Sequence, residues 1–144
     1  MKRSIGLAMV LGMGVLLATT NGEQEGQQVK SFMHAKLAHS QSALEGLAIE
    51  NYDQLAKSAQ SLTLLSEEAG WNVLQTAEYA RQSDLFRRDT RALTDAARKH
   101  NLDGATLAFV RVTLNCVECH KHVRSVEHAR SEVPTPLPNS DPTR

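Results

Sequence analysis

From Met33 to Val123 apolar side chains return every four and three residues, the interval at which one face of an α-helix comes round to the same side. A first stretch carries Met33, Leu37, Ser40, Leu44 and Leu47, and a second Leu55, Ala59, Leu62 and Ser66. A third runs through Phe86, Thr90, Leu93, Ala97 and His100, and a fourth through Ala105, Phe109, Val112, Cys116, Cys119 and Val123. Asn51 before Gln54, and Asn101 with Asp103 after it, stand where N-caps and helix stops belong. The segment around Trp71 fits either a long loop or an additional helical turn. The pattern predicts an all-α fold, an antiparallel four-helix bundle with short connections.

The two ends of the chain break the pattern. Lys2 and Arg3 precede an uncharged, mostly apolar run from Ser4 to Ala18, followed by the small or polar residues Thr19 to Gly22. That is the layout of a secretory signal peptide over residues 1–22, cleaved near Thr20 to Gly22. A retained membrane anchor is the competing reading, but the run is shorter than the roughly 20 apolar residues a spanning helix needs. All four prolines, Pro134, Pro136, Pro138 and Pro142, lie at the other end, so residues 132–144 read as an extended, Pro-rich disordered tail. The bundle domain then covers residues 23–131. Without Lys2 and Arg3 the domain and tail hold 14 basic against 16 acidic residues. Such near-neutrality argues against nucleic acid and leaves no strong steering patch for a protein partner.

Chemistry concentrates in Cys116-Val117-Glu118-Cys119-His120. Cys-x-x-Cys-His is the attachment sequence of c-type haem. On a helix, positions i, i+3 and i+4 face one way, so two thiols can form thioethers with the haem vinyl groups while the imidazole reaches the iron. A bare Cys-x-x-Cys also serves as a disulfide, a redox pair or half of a zinc site. Zinc would need further ligands, which here are His122 and His128 on the same helix. A thioredoxin-like pair would need a βαβ context that the chain lacks. The cysteines hold core positions in the four-three register, so the cofactor is expected inside the bundle.

From Ala105 to Arg124 the chain resembles the cytochrome c′ and cytochrome c-556 family, class II c-type cytochromes, in Ala105, Phe109, Cys116, Cys119, His120 and Arg124. Weaker similarity extends back through Leu93 and Phe86 to the Met33 region. Val123 departs from the pattern, where the family usually has Tyr or Phe. The resemblance implies one haem c per chain, with Cys116 and Cys119 as thioether anchors and His120 as proximal iron ligand. Arg124 would contact a propionate or shield the proximal side, against the alternative of a solvated arginine. Met33 stands where low-spin members carry a sixth ligand, while a methionine on an apolar helical face ordinarily just packs. His34 and His39 lie roughly 100° and 120° off the Met33 stripe and are expected at the surface.

Met33 separates two functions. As a ligand it makes the protein an exported, periplasmic electron carrier; otherwise the iron is five-coordinate and binds small gases such as nitric oxide or carbon monoxide. A zinc- or disulfide-stabilised helical module is the reading outside redox chemistry. No nucleophile and base pair, phosphate-binding glycine loop or paired carboxylates point to an enzyme. Glu67 and Glu68 read as a solvated helix end. Redox partner proteins stay unidentified by the sequence, dimerisation through the first two helices is what the family implies, and no stable membrane span is expected once the signal is removed.

Overall fold

The computed structural model describes residues 20–68 and 73–132, with side chains from Gly26 onward. The N-terminal apolar run, Trp71 and the Pro-rich tail lie outside the described residues. Within them the fold is all-helical: α1 (Thr20–Ala48), α2 (Tyr52–Leu65), α3 (Ala77–Arg98) and α4 (Leu102–Ser131), with no strand.

Two corners of the same design turn the chain. Glu50 and His100 adopt left-handed backbone, with φ of 55° and 52°. The next residues donate their backbone N–H five residues back, Asn51 to the Gly46 carbonyl at 2.8 Å and Asn101 to the Ala96 carbonyl at 3.0 Å. This closes the preceding helix in the manner of a Schellman motif. Each asparagine then caps the following helix, Asn51 Oδ1 accepting from the Gln54 N–H at 3.1 Å and Asn101 Oδ1 from the Gly104 N–H at 2.9 Å. The Tyr52 and His100 rings stack at 4.6 Å and join the two corners. His100 is therefore exposed at a turn rather than core-facing, as the register had implied, because α3 stops at Arg98.

Cross-links between neighbours run in opposite chain directions, so successive helices are antiparallel. Gln54 and Ser58 reach Ser42, while the Thr63 and Thr90 hydroxyls lie 2.8 Å apart and Arg87 donates to the Ser66 carbonyl. Gly46 lets α1 cross close to α2, since a Cβ there would sit 2.9 Å from the Leu55 backbone nitrogen. Leu55, Ala59, Leu62, Phe86, Leu93, Ala97, Ala105 and Val112 form the core with Ala43 and Tyr79. The registers expected for α2 and for most of α3 are thus observed. Along α4, Phe109, Cys116, Cys119 and Val123 are half-buried against the core edge instead of within it.

Helix α1 departs most from expectation. Ala43 is its buried apolar residue, whereas Leu37 and Leu44 are 54% and 52% exposed. The stripe from Met33 to Leu44 is rotated away from the core, because α1 packs on α2 and barely meets α4. An opening is left along the α1–α4 side.

Candidate functional site

That opening is an apolar groove of about 520 Å³. Its α1 wall includes Val29, Met33, Lys36 and Leu37; its α4 wall is Phe109, Val112, Thr113, Cys116 and His120. Met33, some eighty residues before the motif in sequence, thus faces Cys116 and His120 across one cavity. Its size falls within the roughly 300–1,000 Å³ common for small-molecule sites.

Helix α3 holds the motif in place from the other side. Asp89 is buried, and its carboxylate accepts from Asn115 Nδ2 at 2.6 Å and from Arg111 Nε at 3.3 Å. Asn115 immediately precedes Cys116, so this carboxylate fixes the turn on which the first thiol stands. Beyond the motif, His122 Nε2 lies 3.0 Å from Oγ1 of Thr76, the residue that caps α3. The motif is pinned before and after, and its groove-facing side is left unobstructed.

The environment favours neutral forms. Burial pushes both thiols above their usual value; the Lys36 charge opposes this at each, and Cys116 adds to the rise at Cys119. His120 is exposed on one side, yet burial of the other lowers its pKa, aided by the Lys36 and Arg124 charges. The Tyr79 phenol is pushed up to about 12, by burial first and by the Cys119 charge second.

Cys116, His120 and Met33 are brought together. Cys119 turns to the α3 side, packing on the core edge rather than lining the groove. Arg124 is exposed, close enough to His120 for its charge to act there. His34 is at the surface as expected, whereas His39 is not fully so. His34 is exposed but borders the groove, and His39 is half-buried beside a polar depression with Ser42, Gln54 and Ser58. Glu67 and Glu68 are exposed at the end of α2, where Glu67 pairs with Arg91 at 3.5 Å.

Lys36 is a groove residue that periodicity passed over. Burial lowers its pKa, and its ammonium lies 4.9 Å from the centre of the Phe86 ring. The available signal was its position three residues after Met33, which puts both on one helix face. Among the described residues no three His, Cys, Asp or Glu side chains converge as a metal site, so the zinc alternative lacks a ligand set there. No helix among them is long and apolar enough to cross a membrane. Compared with protein-family models, curated proteins and solved structures, the chain matches none.

Proposed function

We propose that this chain is an exported c-type cytochrome, an electron carrier with one covalently held haem between α1 and α4. The observation that carries this reading is the shared groove, in which Cys116 and His120 of α4 face Met33 of α1. One thiol and an imidazole opposite a thioether in an apolar cleft, with the second thiol one turn along α4 at the core edge, supply the donor types such a group requires. The resemblance to class II cytochromes points the same way, as does the leader-like N-terminus, because haem of this type is attached outside the bacterial cytoplasm.

When bound, the haem supplies one-electron chemistry at its iron. Cys116 and Cys119 would anchor it, and His120 would hold the iron with its neutral imidazole, the form that burial already favours. Asp89, through Asn115, would keep the anchoring turn from shifting as the iron changes charge. Met33, which lines the same groove, would offer the iron a thioether sulfur and favour the reduced state, as such a ligand does. Lys36 brings a cation to the same wall, which also favours the less positive iron. Lys36→Met is therefore expected to lower the reduction potential. Arg124 would offset propionate charge near His120.

Expression with haem-maturation machinery tests this directly. The expected product is coloured, keeps its haem stain after denaturation, and gives a low-spin ferric spectrum insensitive to carbon monoxide on reduction. Met33→Ala is expected to convert it to a high-spin form that binds carbon monoxide. A colourless product would overturn the cytochrome reading. A high-spin wild type unchanged by Met33→Ala would replace electron transfer with gas binding.

A further inference from the structure

The side of α4 turned away from the core carries Leu107, Val110, Leu114 and Val117, exposed to 59%, 49%, 57% and 45%. A bundle helix ordinarily sets charged and polar residues opposite its core stripe. These four lie about half a turn round from buried Ala105, Ala108 and Val112, and none of them lines the groove.

Asp103 and Lys121, both exposed, continue the stripe at its two ends. The series Asp103, Leu107, Val110, Leu114, Val117, Lys121 advances by 4, 3, 4, 3 and 4 residues, which is the same spacing from either end. Its charges are opposite, acidic at the start and basic at the finish. Two copies laid antiparallel about a two-fold axis near Val112 would set Leu107 against Val117, Val110 against Leu114, and Asp103 against Lys121, each pair twice. A two-fold interface requires this self-complementarity, and alternating three-four spacing is the seam of two packed helices. Arg111 would approach its own copy near the axis, but its charge is answered within the chain by Asp89 at 3.3 Å. Lys121 pairs with Glu118 at 2.8 Å in an exposed contact, one that exchanges at little cost.

We infer that the outward face of α4 docks a second copy of this chain, forming an antiparallel homodimer with Asp103–Lys121 pairs at both ends. This seam differs from the one through the first two helices that the family resemblance implies, and it does not depend on haem.

Sedimentation velocity over a concentration series of the full chain tests it, with far-UV circular dichroism to verify folding of each variant. Wild type is expected to dimerise reversibly, and Leu114→Glu to be monomeric with unchanged helicity. Asp103→Lys and Lys121→Asp should each weaken the dimer roughly tenfold, since each turns two attractive pairs into repulsive ones. An equimolar mixture of those two variants should regain wild-type affinity, because opposite charges then meet at both ends. A wild type monomeric at every concentration, whether or not it floats with phosphatidylcholine vesicles, overturns the inference. So do a dimer that survives Leu114→Glu, charge reversals without effect, and a mixture that fails to associate.

Discussion

Helix α4 has two unlike flanks. Toward α3 it is closed: the Asp89 carboxylate grips Arg111 and Asn115, His122 meets Thr76, and Tyr79, Phe86 and Leu93 fill the space between. Toward α1 it is open, and Met33, Lys36, Cys116 and His120 line a groove where side-chain packing would otherwise be. One flank fixes where the reactive turn stands, and the other leaves it accessible. A rigid element that presents its chemistry to a preformed cavity is how a bundle builds a cofactor site.

The contrast can be broken by truncating each flank and comparing urea midpoints. Leu93→Ala, on the closed side, leaves a cavity where the side chain is fully buried, and is expected to cost about 2–5 kcal/mol. Asp89→Ala strands the Asn115 amide and the Arg111 guanidinium, for a loss of about 1.5–3 kcal/mol. Asp89→Asn, which can still accept one of the two bonds, should lose less. Met33→Ala, on the open side, is expected to cost about 1 kcal/mol or less, because the side chain faces a cavity and is only half-buried. A Met33→Ala penalty as large as that of Leu93→Ala would mean that α1 closes on α4 in solution, and the comparison would fail.

The smallest effect is invisible at neutral pH. Tyr79 on the closed flank has its pKa raised from 10.0 to about 12 by burial. A raised phenol keeps its proton longer in the folded state than in the unfolded one. Its stabilising contribution is complete below pH 10 and disappears as pH rises through about 12. Tyr79→Phe is therefore expected to flatten the loss of stability over that interval, measured as the urea midpoint against pH. An unchanged alkaline limb would show that the ring is not held in a dry environment, and would weaken the picture of a closed α3 side.

The sequence spoke most clearly where an apolar face meets only protein. Leu55, Ala59 and Leu62 of α2, and Phe86, Leu93 and Ala97 of α3, are buried as their spacing implied. Asn51 and Asn101 cap helices because a short carbonyl side chain can reach a helix-start N–H over three residues. The stripe of α1 carried the same signal and a different meaning. Leu37 and Leu44 recur at the helical interval, yet both are exposed and Leu37 borders the groove. Periodicity reports that a helix has an apolar side and is silent about what lies opposite. Lys36 was missed for the related reason that a cation breaks an apolar pattern, although its stem and ammonium lie against the groove wall and Phe86. Leu107, Val110, Leu114 and Val117 were passed over because the core stripe of α4 already accounted for the helix.

Local rules thus sufficed for what depends on neighbours along the chain. They cover the existence of the helices, their capping asparagines and the alignment of Cys116, Cys119 and His120 on one turn, since a 3.6-residue period acts within a few residues. Tertiary packing alone decided that α1 stands off from α4, that Met33 and Lys36 share a cavity with Cys116 and His120, and that Asp89 secures the turn before them. Those relations join residues far apart in sequence, and they follow from how four helices divide one limited core among faces of unequal size.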